Sequence, residues 1–133
     1  MIYNKITFPA APFLYDLRFE DRITLVGGDA GTGKTFLYGL LEDLRQTEEY
    51  RKLKLFNYKT DNLLMELKQC QNNFIVIDNA DIMIDDAIRQ YINFEFSNQY
   101  MLFQRNSDGL NVSDKSFKLL KFDNNVIILE DEF

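Results

Sequence analysis

Gly27-Gly28-Asp29-Ala30-Gly31-Thr32-Gly33-Lys34-Thr35 decides how the rest of the chain is read. From Gly28 it runs G-x-x-x-x-G-K-T, a spacing whose glycines let the backbone turn tightly and aim successive N–H groups at phosphate oxygens. On its amino side, Arg22-Ile23-Thr24-Leu25-Val26 is a short β-branched run that reads as a buried strand. On its carboxyl side, Phe36, Leu37, Leu40, Leu41 and Leu44 recur at helical spacing. Strand, glycine loop and helix in that order are the context the motif requires. The helix that starts near Gly33 adds unsatisfied N–H groups and a positive dipole end. In this reading Gly28, Asp29, Ala30, Gly31, Thr32 and Gly33 cradle a polyphosphate. Lys34 reaches the outer phosphates as a compact charge, and the Thr35 hydroxyl ligates Mg²⁺. The plainer alternative is a glycine-rich turn that caps an ordinary helix.

Composition narrows the field. The 133 residues suit one domain, 1–133, with a single core. Hydrophobic residues at 46% and charged residues at 27% predict an ordinary folded protein rather than a disordered one. A net charge of −6 argues against general binding to a nucleic-acid backbone. The single cysteine, Cys70, excludes an intramolecular disulfide and reads as a small core residue. With no histidine, His-based acid–base catalysis and His metal ligation are excluded. No signal-peptide pattern and no run of about 18 apolar residues is visible, so the expectation is a cytoplasmic protein without a membrane span.

Along the chain, Ile2 to Phe8 alternates as an edge strand would, and Pro9-Ala10-Ala11-Pro12 breaks it. Phe13, Tyr15, Leu17 and Phe19 share one parity, as in a second short strand, although a turn of helix also fits. The first helix is predicted from Gly33 to about Thr47, and Leu53 to Tyr58 reads as the next strand. Thr60 or Asp61 is placed to cap a helix carrying Leu63, Leu64 and Leu67. Phe74-Ile75-Val76-Ile77-Asp78 is an unbroken apolar run ending in a carboxylate, the pattern of a strand buried on both faces. Asp81 is placed to cap the following helix, with Ile84, Ile88, Tyr91 and Ile92 inward. Gln99 to Phe103 makes a further central strand, and Phe117 to Leu129, folded about Asp123-Asn124-Asn125, makes a C-terminal hairpin.

Gly28 to Thr35 matches the Walker A motif, and Phe74 to Asp78 looks like a Walker B strand. Over roughly Arg22 to Asn106 the chain resembles the P-loop NTPases, in the branch that includes AAA-type ATPases. That resemblance implies an α/β fold, a three-layer sandwich with a mainly parallel P-loop NTPase sheet, to which the C-terminal hairpin is added. It implies Mg²⁺ held between Thr35 and Asp78, ATP or ADP as ligand, and a polar sensor residue among Gln104, Arg105 and Asn106. Among the catalytic candidates, Lys34 and Arg105 offset developing phosphate charge, with Arg105 acting in cis or towards a neighbouring subunit. Asp78 holds the metal, while Asn79 and Asp81 are the groups nearest the attacking water.

One departure is functional. Vigorous ATPases of this class carry a Glu after the Walker B Asp, and here the residue is Asn79. An amide holds a water but accepts no proton. The expectation is therefore ATP binding with hydrolysis that is slow or needs a protein partner or a second copy. The alternative is a nucleotide-gated interaction module with little turnover. A small P-loop kinase ranks third, because Arg89 alone stands where such enzymes carry an arginine-bearing lid.

Overall fold

Ile23–Val26, Phe74–Ile77 and Gln99–Phe103 are strands in which every residue is buried. Their side chains divide by parity between two cores. Val26, Phe74, Val76, Met101 and Phe103 enter one cluster, while Ile23, Leu25, Ile75, Ile77, Tyr100 and Leu102 enter the other. A strand apolar on both parities must be covered on both faces, and this fixes where the remaining elements pack.

The computed structural model describes residues 1–29 and 31–133. In chain order the elements are β1 (Lys5–Ala10), β2 (Phe13–Arg18), β3 (Ile23–Val26), α1 (Lys34–Leu44), β4 (Leu53–Phe56) and α2 (Leu63–Lys68). They continue with β5 (Phe74–Ile77), α3 (Ala80–Met83), α4 (Asp86–Phe94), β6 (Gln99–Phe103), β7 (Phe117–Asp123) and β8 (Val126–Asp131). All eight strands form one sheet in the order β1-β2-β8-β7-β3-β6-β5-β4. From β7 to β4 neighbours run parallel. Beyond β7 the sense alternates: β8 is antiparallel to β7, β2 parallel to β8, and β1 antiparallel to β2.

The sheet curls into a half-barrel. The segment before β1 reaches the start of β6, where Ile2 and Tyr3 both donate their backbone N–H to Gln99 Oε1 at 2.9 Å. Phe19 and Tyr3 pack on Phe74, with ring centroids 4.9 and 5.9 Å away. Helix α1 packs on one face of the sheet, where Leu37, Tyr38 and Leu41 join Ile6, Phe8, Tyr15 and Leu17 in one cluster. The other face is covered by Leu63 and Leu67 of α2 and by Ile88 and Ile92 of α4.

These findings correct the expected fold. The sheet is mixed and curled, strands hold 32% of residues against 25% in helices, and the architecture is not a mainly parallel three-layer sandwich. The reason is local. The strand–loop–helix unit around Gly28 represents only part of the sheet, and the hairpins β1–β2 and β7–β8 enter the same sheet and reverse its sense. The C-terminal hairpin is no appendage: β7 pairs with β3, and β8 with β2. Its turn residues Asn124 and Asn125 have φ of 50° and 67°, the left-handed pair that a tight two-residue hairpin demands.

Two helix starts also differ from expectation. Asn62, rather than Thr60 or Asp61, caps α2 by accepting from the Met65 N–H at 3.2 Å. The region after Asp78 splits into α3 and α4, and Asp85 caps α4 by accepting from the Ile88 N–H at 2.9 Å. Asp81 is thereby released from the capping role. Among the described residues no helix is long and apolar enough to cross a membrane.

Leu25 is fully buried between its sheet partners Leu102 and Phe117. Leu25→Ala is expected to cost about 2–5 kcal/mol in urea unfolding, as for other buried leucine truncations. A loss below about 1 kcal/mol would show that β3 is not the centre of the core.

Candidate functional site

The carboxyl ends of β3, β5 and β6 open on one side of the sheet, and the loop after β3 begins there. Gly27 donates its N–H to the Lys118 carbonyl at 2.9 Å, which ties the start of the loop to β7. Gly28, Gly31 and Gly33 have φ of 99°, 87° and 94°, a region that side chains rarely tolerate. At Gly28 space is short as well, since a Cβ would stand 3.3 Å from Thr32 Oγ1.

Gly33 immediately precedes α1, which has no side-chain cap and no acidic residue in its first turn. Most helices satisfy these N–H groups with a Ser, Asp or Asn side chain. Here they and the positive dipole end are left to face the cleft, the arrangement that favours an anion. The Lys34 ammonium folds back over the loop and donates to the Gly28 carbonyl at 2.6 Å. Thr32 Oγ1 is buried and has no hydrogen-bond partner among the described residues.

Across the cleft stands Asp78, 7% exposed, at the end of β5. Its Oδ1 accepts from the Asn79 N–H at 3.0 Å, and Asn79 turns the chain at φ 50° into α3. Asp81 Oδ2 accepts from the Arg105 N–H at 3.2 Å. The Arg105 guanidinium in turn reaches Asp29 in the glycine loop at 2.7 Å. That ion pair is exposed, so its own contribution to stability is small. Its position matters more, because it links the loop to the end of β6.

A cleft of about 500 Å³ lies between these parts. Gly28, Gly31, Gly33, Lys34 and Thr35 line one side, and Asp78, Asn79, Asp81 and Arg105 the other. Thr32 and Asp29 are not on its wall, and Ala30 lies outside the described residues. Gln104 turns its amide to the Asn106 carbonyl, so of the three sensor candidates only Arg105 faces the cleft.

Among the described residues no group of three or more acidic, cysteine or histidine side chains could hold a metal by itself. Thr35 and Asp78 still suit Mg²⁺, a hard cation that takes one or two protein oxygens and completes its shell with phosphate and water.

Sequence reading missed the apolar part of this cleft. Phe36 recurs at helical spacing with Leu37, Leu40, Leu41 and Leu44, yet it is 57% exposed and lines the cleft with Ile82 and Phe103. The signal was its place in the first helical turn, beside the loop, where no core reaches. Phe122 of the hairpin lies over Gly33, its ring 3.6 Å from where a Cβ would stand. Nothing in the sequence brings those two positions together.

No protein-family model and no curated protein matches this chain. Together with the mixed, curled sheet, this overturns the assignment to the P-loop NTPases of the AAA-type branch: the chain has the loop without that family's architecture.

Burial, and after it the Arg105 charge, pull the Lys34 pKa below the ordinary 10.5, against the opposing pull of Asp81, Asp78 and Asp29. A lysine depressed in the folded state binds fewer protons there than in the unfolded chain. Stability of the ligand-free protein therefore rises with pH between the folded-state pKa and 10.5. In an NMR pH titration, Lys34 is expected to deprotonate below 10.5 and to move upward when Mg-polyphosphate is added. Titration at or above 10.5 in the free protein would contradict the geometry described.

Proposed function

We propose that this protein binds ATP with Mg²⁺ in the cleft at Gly28–Thr35 and hydrolyses it slowly, or only when joined by a protein partner or a second copy. One observation carries the reading. An uncapped helix N-terminus, three left-handed glycines and Lys34 face a buried carboxylate, Asp78, across one cleft.

Lys34 would leave the Gly28 carbonyl for the outer phosphates, exchanging a neutral acceptor for a charged one. Thr35 and Asp78 would supply the protein oxygens for Mg²⁺, and Mg²⁺ when bound neutralises part of the phosphate charge. Arg105 already stands at the cleft wall, positioned through its backbone by Asp81 and through its side chain by Asp29. Asn79 can orient a water but cannot take its proton. Asp81 lines the cleft with its Oδ2 accepting the Arg105 N–H, and the position directly after Asp78 offers the Asn79 amide in place of a carboxylate. A missing general base costs roughly 10²–10⁴-fold in rate, which is why turnover is expected to be slow.

The second reading, a nucleotide-gated interaction module, is favoured by the Arg105–Asp29 pair. Phosphates entering the loop would compete with Asp29 for Arg105 and so report nucleotide binding at the end of β6. A kinase is disfavoured, since Arg89 is paired with Asp86 at 2.8 Å and not directed to the cleft. ATP and ADP, no membrane, no general nucleic-acid surface and a cytoplasmic site of action complete the proposal.

Calorimetry with Mg-ATP and Mg-ADP, alongside phosphate release, tests it. Lys34→Ala is expected to weaken binding roughly 10- to 100-fold, the worth of a hydrogen bond to a charged group. Asn79→Glu is expected to raise phosphate release by about 10²-fold or more without tightening binding. Absence of nucleotide binding to the wild-type chain overturns the reading. Equal turnover in wild type and Asn79→Glu leaves the gated module as the better account.

A further inference from the structure

Beside the phosphate cleft, three phenylalanines that are remote in sequence come together on the surface. Phe36 stands in the first turn of α1, Phe13 at the start of β2 and Phe122 near the end of β7. They are 57%, 36% and 57% exposed. Phe13 and Phe122 lie with ring centroids 6.0 Å apart at 46°, a tilted pair with open ring surface. They border a groove of about 640 Å³ floored by Tyr15, Leu40 and Ile127. That volume falls within the roughly 300–1,000 Å³ of small-molecule sites.

The groove is continuous with the cleft. Gly33 and Phe36 line both, and the Phe122 ring lies against Gly33. A nucleoside triphosphate has the same two-part character, with a charged tail and a flat base whose faces are apolar. Clustered exposed aromatics are unfavourable in water unless something covers them. Bases stack on aromatic rings with a gain that depends little on base identity.

From this continuity we infer that the Phe13–Phe36–Phe122 groove holds the nucleobase of the nucleotide whose phosphates occupy the Gly28–Thr35 loop. This rests on the phosphate-site reading given above. The groove has a second property that sets specificity. Apart from Tyr15, whose body is 5% exposed, its side chains are apolar. The base edge therefore meets few side-chain donors or acceptors, and recognition runs through stacking and burial. Purine triphosphates are accepted with little discrimination between adenine and guanine, because the polar groups that would read them are lacking.

The test is calorimetry of the full chain with Mg-ATP, Mg-GTP and Mg-tripolyphosphate, in wild type, Phe36→Ala, Phe122→Ala and Phe36→Tyr. All three ligands are expected to bind wild type, with ATP and GTP within a few-fold of one another. Both should bind about tenfold or more tightly than tripolyphosphate, the gain of a stacked base. Phe122→Ala should bring ATP down towards the tripolyphosphate affinity while leaving tripolyphosphate itself unchanged, Phe36→Ala should weaken ATP at least as much, and Phe36→Tyr should restore ATP. These residues are exposed, so circular dichroism is expected to show folded variants.

Equal binding of ATP and tripolyphosphate by wild type, with no effect of the alanine variants, overturns the base site while the phosphate site stands. Concentration-dependent sedimentation lost in Phe36→Ala would then assign the groove to a second copy. A preference of ATP over GTP exceeding about 100-fold overturns the stacking account, since only hydrogen-bond readout gives such ratios. Binding of none of the three ligands overturns the phosphate site and the base site together.

Discussion

Three strands without a solvent face constrain everything else in this molecule. β3, β5 and β6 are apolar on both parities, so their neighbours must cover two surfaces at once. Parallel pairing among them requires the chain to cross back between strands, and α1, α2 and α4 are the segments that do so. Each crossover leaves a strand at its carboxyl end, and the loops there are assembled side by side. The glycine loop after β3, Asp78 after β5 and Arg105 after β6 meet because those strands are adjacent, not because the residues attract one another.

The electrostatics of the cleft follow from that placement. Burial and, after it, the nearby Arg105 disfavour the Lys34 charge, while Asp81, Asp78 and Asp29 compensate in part. In and beside the cleft both signs of charge are therefore present, with Lys34 and Arg105 set against Asp29, Asp78 and Asp81. Elsewhere the fold deals with buried charge differently. Lys118 lies 5% exposed in β7 next to β3, and burial alone would lower its pKa, yet the hydrogen bonds it donates to Asp131 and Glu20 outweigh that and hold it above the ordinary value. Lys118 is thus paired with two carboxylates, whereas the Lys34 ammonium donates to the neutral Gly28 carbonyl.

Much of the centre was legible from sequence. β5 declares itself as a continuous apolar run, β3 as a β-branched one, and Leu37 to Leu44 as a helical stripe. Alternation also grouped Tyr15, Leu17 and Phe19, which are buried, although Phe13 of the same parity is exposed. The sheet as a whole was not legible. Short hairpins carry no signal for which strand they join, and Lys118 at a buried position hides that β7 is interior. Whether a mixed sheet lies flat or curls depends on packing between distant segments, such as Tyr3 on Phe74, that no local pattern records. The polar half of the cleft was readable because glycine spacing carries its own chemistry. Its aromatic half was not, since Phe13, Phe36 and Phe122 meet only through the fold. Asp81 shows the same limit on a smaller scale: its position suited a cap, and tertiary contact gave it the Arg105 N–H instead.

The central claim is that backbone N–H groups of the loop and the first turn of α1, with Lys34, are built to receive phosphate. Amide proton shifts of Gly31, Gly33, Lys34 and Thr35, followed by NMR as Mg-ATP is added, address it at the atoms concerned. The account predicts downfield shifts concentrated on these amides, as each N–H gains a charged acceptor, with β4 and α2 unaffected. Saturating Mg-ATP that leaves these amides unmoved, or moves amides elsewhere in their place, would contradict it.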